Sequence, residues 1–163
     1  MTTKTTKTKN LHQRLLAIMG EAGSMEKGGY NDFNKYSYIK ESDVAKKFQD
    51  LLVKHGVFMF SSVEEAKSIQ VQSAGGKPSI LSTVKMLYTF VNVDDPEDDF
   101  KVYAAGDGMD TGDKAIYKAL TGAHKYVLIR NFNLGSDEDA EKTSPSVGKQ
   151  VVVTKAEPQD SIF

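Results

Sequence analysis

Three lysines, Lys114, Lys118 and Lys125, are spaced so that they fall within roughly 40° of one another on a helix turning about 100° per residue. Such a stripe runs about 16 Å along the helix axis, enough to neutralise several phosphates of a nucleic-acid strand. Just upstream, Asp107, Asp110 and Asp113 recur every third residue in GDGMDTGD. Clustered carboxylates hold hard divalent cations, so this run raises a metal-dependent nuclease as an alternative chemistry. The spacing fits no calcium loop, and Gly112-Asp113-Lys114-Ala115 lacks the Gly-Lys pair and hydroxyl of a phosphate-binding P-loop. The simpler expectation is no metal site, with Asp113 capping the helix and complementing its dipole.

A second set interleaves aromatics with cations: Lys35, Tyr36 and Tyr38, inside the segment from Tyr30 to Lys40. Bases stack on aromatic faces at roughly 1–3 kcal/mol each while lysines meet phosphates, which suits single-stranded nucleic acid. On a strand Tyr36 and Tyr38 share a face, so they are buried or exposed together. His12, His55 and His124 have no metal-ligand spacing, and we assign no catalytic residue. Arg130 falls on the apolar side of the helical wheel near the helix end, where C-capping or an ion pair is the expected role.

These residues need elements to position them. Leu11, Leu15, Leu16, Ile18 and Met19 suggest a short amphipathic helix ending near Gly20, and Lys35 to Ile39 reads as a strand. Ser42 is the expected N-cap of a helix that Val44, Ala45, Phe48, Leu51 and Leu52 carry to His55-Gly56. Val57 to Ser62, Ser68 to Ser73, Ile80 to Val93 and Phe100 to Ala105 read as a meander of three or four antiparallel strands. A turn over Gly106 to Gly112 then feeds a helix to about Phe132, with Ile116, Ala119, Leu120, Ala123 and Val127 inward. Ala119, Gly122 and Ala123 admit the close approach of another backbone, of protein or of nucleic acid. The expected fold is α+β: an antiparallel sheet of three to five strands with helices packed on one face.

The chain of 163 residues suits one core domain, 11–134, between a flexible basic arm, 1–10, and an acidic, largely disordered tail, 135–163. Residues 1–135 carry 18 Lys/Arg and 16 Asp/Glu, against 3 and 6 in the remainder, so any nucleic-acid site is a local patch. The absence of cysteine excludes disulfides and thiolate chemistry, and no apolar run reaches the roughly 20 residues of a membrane span. A soluble cytoplasmic protein with no membrane partner is expected. Asp160, Ile162 and Phe163 end the tail acidic and then apolar, a form that a basic-rimmed pocket on a partner protein can capture, which leaves a passive single-strand-binding or adaptor protein as the other alternative.

The block from Gly106 to Leu134 resembles the signature of the Erf family, phage essential-recombination-function proteins that anneal complementary single strands. Gly112-Asp113-Lys114-Ala115, Lys118-Ala119, Gly122-Ala123 and Lys125-Tyr126 carry the resemblance. Tyr36-Ser37-Tyr38, the Ser42 to His55 helix and Gly56-Val57 extend it, to about Leu11 to Leu134. The resemblance implies binding of single-stranded DNA and annealing without metal, ATP or other cofactor, in a bacterial or phage-infected cytoplasm. It also implies assembly as a homo-oligomer, ring or filament, and a core like that of eukaryotic annealing proteins. The family's basic positions fall on Lys114, Lys118 and Lys125, with none for Arg130. The last residues resemble the tip of bacterial single-strand-binding proteins, although Ser161-Ile162 departs from the usual Ile-Pro pair.

Overall fold

The computed structural model describes residues 8–32 and 35–135. Helix α1, Leu11–Ala22, starts at Asn10 through a reciprocal cap: the Asn10 side chain accepts from the Gln13 N–H, and the Gln13 side chain accepts from the Asn10 N–H. It passes through Gly20, its expected end, because Ile18 and Ala22 continue the buried stripe. Strands β1 (Gly29–Asn31) and β2 (Tyr36–Tyr38) pair antiparallel as a small separate hairpin. Helix α2, Glu41–His55, has Lys40 rather than Ser42 at its N-cap position, without a side-chain cap bond. Glu41 and Asp43 in its first turn complement the dipole instead. Gly56, at φ 62 and ψ 46, closes α2 in the left-handed conformation that glycine adopts without strain.

Three long strands follow, β3 (Val57–Gln72), β4 (Pro78–Asn92) and β5 (Asp95–Asp110), hydrogen-bonded in that order and all antiparallel. The two segments expected at 57–62 and 68–73 are one strand with an irregularity between Val63 and Glu65. The charged run Glu64-Glu65 reads as an interruption, but β3 lies at a sheet edge with both carboxylates exposed, where charge costs little. The expected turn over Gly106 to Gly112 is mostly strand as well, since β5 continues to Asp110. Only Val93 and Asp94 turn between β4 and β5, leaving Pro96 in the outer strand, where a missing N–H is tolerated.

Helix α3, Ala115–Asn131, packs across β5 and β4. The glycines that suggest a loop are the seat of this helix. A Cβ on Gly106 would lie 2.2 Å from the Ala119 carbonyl oxygen, and one on Gly108 would lie 2.3 Å from that of Ala115. Ala115, Ala119 and Ala123 are fully buried against them, so the backbones of α3 and β5 approach as closely as two backbones with small side chains can. Along β4, Val84, Met86, Tyr88 and Phe90 point to the same side and meet Val44, Phe48 and Leu52 of α2 and Phe132 beyond α3. The Phe48 and Phe132 rings stand 4.7 Å apart. The result is the expected α+β arrangement, with helices covering one face of the three-stranded sheet.

Buried Arg14 ties the corners together. It donates through Nη1 to the carbonyls of His55 and Gly56, each at 3.0 Å, through Nε to the Lys9 carbonyl at 3.0 Å, and through Nη2 to Asp94. Nearby, Asp98 Oδ2 accepts from Asn92 Nδ2 at 3.0 Å and from the Leu11 N–H at 2.6 Å. Those bonds, that from Asn92 foremost, hold the Asp98 carboxyl below its ordinary value of 3.8.

Candidate nucleic-acid interface

The three stripe lysines do share the outward side of α3, but their surroundings differ. Lys114 occupies the N-cap position and is exposed. No side chain caps this helix: Asp113, the expected cap, makes no such bond, because Asp110 organises the turn. Asp110 Oδ1 accepts from the Gly112 N–H at 2.9 Å, and its Oδ2 pairs with Lys118 Nζ at 2.5 Å. Lys118 also donates to the Met109 carbonyl at 3.0 Å. The bond from Lys118, and then that from Gly112, pulls the Asp110 carboxyl below its usual range. Lys118 is therefore a partly neutralised cation, while Lys114, whose charge also bears on Asp110, makes no ion pair among the described residues.

Lys125 is half-buried. Its Nζ lies 3.5 Å from the Ile39 carbonyl oxygen and 4.8 Å from the centre of the Tyr126 ring. This contact brings the second candidate set to the first, because Ile39 directly follows β2. Tyr36 and Tyr38 are exposed together, with ring centres 6.1 Å apart at an edge-on angle. Lys35 precedes the strand rather than beginning it, in a turn at φ 54, and is exposed. One residue beyond Lys40, Glu41 Oε1 meets His124 Nδ1 at 2.7 Å, and the His124 ring lies over Tyr88 at 6.2 Å. Burial, aided by the Glu41 charge, pushes the Tyr88 hydroxyl up to about 12. Thus two successive residues of α3 reach this corner, His124 to the first residue of α2 and Lys125 to the β2–α2 connection.

Other candidates fall differently. Residues three apart on a strand face opposite ways. Asp107 accepts from Thr83 Oγ1 at 2.6 Å on the sheet face away from the helices, whereas Asp110 points to Lys118 on α3. Asp113 lies in the turn beyond, so the three carboxylates do not converge, and the described residues contain no group of carboxylates and imidazoles poised for a metal. The geometry thus removes the support that spacing lent to a nuclease. Arg130 is exposed and makes no hydrogen bond or ion pair among the described residues; the helix end is closed by the Phe132 N–H to the Leu128 carbonyl and by Asn131 Nδ2 to that of Val127. Gly122 lies off the packing seam, where an added Cβ would meet only the Asp107 carbonyl oxygen, at 3.9 Å. Asp160, Ile162 and Phe163 lie outside the described residues.

Sequence reasoning passes over Tyr117 and Tyr126 as surface groups, since aromatic residues at helical spacing are more often core. Both are exposed, at 65% and 49%, and flank the lysines. The helical wheel carries the signal that finds one of them: Tyr117 lies within about 100° of all three lysines at helical pitch.

Fold and surface together define a class: an α+β protein whose sheet-backing helix presents lysines and tyrosines outward, beside an aromatic hairpin. The ERF superfamily model matches residues 11–162, and the chain belongs to that family. Membership points to phage-type recombination and single-strand annealing. A search of curated proteins gives no match to this sequence. No helix among the described residues is long and apolar enough to cross a membrane.

Proposed function

We propose that this protein binds single-stranded DNA and promotes ATP-independent annealing of complementary strands in phage-type homologous recombination, as a homo-oligomer in the bacterial or infected-cell cytoplasm. The observation that carries the reading is the juxtaposition of Lys125 with the Tyr36–Tyr38 hairpin, within a chain that belongs to the ERF superfamily. Lys114, Lys118 and Lys125 meet phosphates, while Lys35, Tyr36 and Tyr38 hold the adjoining stretch of strand. Annealing then needs no covalent step. Neutralised phosphates reduce repulsion between complements, and an assembly raises the local concentration of paired tracts. The tail residues Asp160, Ile162 and Phe163 serve a protein partner in this reading.

Replacing Lys114, Lys118 and Lys125 together with Gln tests the site. Each lost phosphate contact lowers the salt slope of single-strand binding by about 0.7, so the triple variant should lose about 2 from the slope and at least about tenfold in affinity. Unchanged melting temperature shows that the fold survives. Wild-type affinity and slope in a folded variant would remove these lysines from the interface.

A further inference from the structure

The face of the three-stranded sheet turned away from the helices has no cover among the described residues. Antiparallel partners share a face, which assigns its side chains from the register: Phe58 beside Val91, Ser62 beside Leu87 and Tyr103, Glu65 beside Lys85, Lys67 beside Thr83 and Asp107. The irregularity at Glu64 shifts the alternation of β3, so that Phe58 and Phe60 before it and Ile69 after it all reach this side. The Phe58 and Phe60 rings stack at 5.7 Å, and Phe58 and Tyr103 are 58% and 59% exposed. Contiguous exposed apolar surface of this kind marks an interaction site.

We infer that this open sheet face is the surface on which a second copy of the chain docks. Two observations choose that occupant. The first is charge. A phosphate backbone needs unpaired cations, yet Lys85 Nζ lies 3.6 Å from Glu65 and 4.7 Å from the Tyr103 ring centre, and Lys101 Nζ lies 2.9 Å from Asp99. With Asp107 and Lys67 on the two outer strands, either side of Thr83, the face carries charges of both signs; its middle band, Glu65, Lys67, Lys85 and Asp107, is complementary to itself when one copy is turned against another. The second is area. Strands of 15 to 16 residues at about 3.3 Å per residue and about 4.8 Å spacing give a face of roughly 700 Å², close to the roughly 800 Å² per partner of a standard stable interface. Sheets stacked face to face interdigitate their side chains at about 10 Å. Docking here rests on the assembly proposed above and gives it a pairwise contact, since a face complementary to itself joins two copies about a two-fold axis and a ring or filament needs a further contact; it leaves the α3 lysines, on the other side of the sheet, free for DNA.

The full chain with Phe58→Thr, Phe60→Thr and Tyr103→Thr keeps strand-compatible residues while removing the apolar patch. Sedimentation should show wild type self-associating and the triple variant at least tenfold weaker. Because the chain has no cysteine, Ser62→Cys and Thr121→Cys give a second measurement that does not depend on the triple variant folding. A bis-maleimide should cross-link Ser62→Cys, on the open face, and not Thr121→Cys, on the outer side of α3. A monomeric wild type would overturn both this surface and the assembly. An oligomeric triple variant, or cross-linking only through Thr121→Cys, would overturn the surface alone and leave the assembly standing. A triple variant still oligomeric but unable to bind single-stranded DNA would overturn it in favour of a base-stacking platform.

Discussion

At the scale of single residues, Asp110 decides how much of the lysine stripe is available. Its carboxylate holds Lys118 in an ion pair and the Gly112 N–H in a turn, so a phosphate arriving at Lys118 competes with a charge already in place. Exposed pairs of this kind are weak, because solvent screens them. Asp110→Asn should therefore raise single-strand affinity about 2- to 5-fold, measured by fluorescence anisotropy at fixed salt. A fall in affinity would mean that the pair positions Lys118 for DNA instead of occupying it. The lysine spacing is legible because helical periodicity depends only on sequence separation. The pairing of Lys118 is not, because it depends on β5 running to Asp110, and glycines in a strand read as a loop.

At the scale of elements, the seam between β5 and α3 and the docking of α1 can each be tested. Gly106→Ala places a methyl group within 2.2 Å of the Ala119 carbonyl oxygen. Overpacking against backbone cannot relax by rotamer change, so a loss of about 3 kcal/mol in urea unfolding is expected. Gly122→Ala, where the nearest atom is at 3.9 Å, should cost nothing and gain slightly from helix propensity. Equal costs at the two positions would contradict the seam. Ala119 and Ala123 are recognisable in sequence as a close-approach surface. That their partner is Gly106 and Gly108 of the same chain is not, because a small-residue series does not say which backbone fills it.

Asp98 acts at the same scale, joining the start of α1 to the β4–β5 hairpin. Its folded pKa is depressed, so its contribution to stability is present above its ordinary value of 3.8 and is lost as pH falls through the lower folded value. The melting-temperature gap between wild type and Asp98→Asn should be widest near about pH 7 and close as the pH drops below 3.8. A gap independent of pH would assign the effect to packing. Arg14 and Asp98 have no signature in sequence, since each joins a near neighbour to a group about 40 to 90 positions away.

At the scale of the whole molecule, the two proposals assign different work to the two sides of the sheet. In them, helix α3 and the β1–β2 hairpin hold a strand of DNA on one side, and the open face joins copies on the other. The α+β class, the three helices of the described residues and the long β4 are readable from alternation and turn residues, because these elements contribute the buried core. Strand β3 reads as two pieces because an exposed edge strand need not be hydrophobic throughout. The use of its exposed aromatics cannot be read at all: Phe58 and Phe60 look like core in sequence whether they face a helix, a neighbour or solvent.

The most direct test of the proposed function is the rate at which the full chain anneals complementary oligonucleotides, with a chelator present and no nucleotide triphosphate. Acceleration over the spontaneous rate is expected, unchanged by EDTA and lost in the Lys114/Lys118/Lys125→Gln variant. Tight binding of single strands without acceleration would make the protein a passive binder and contradict the annealing function.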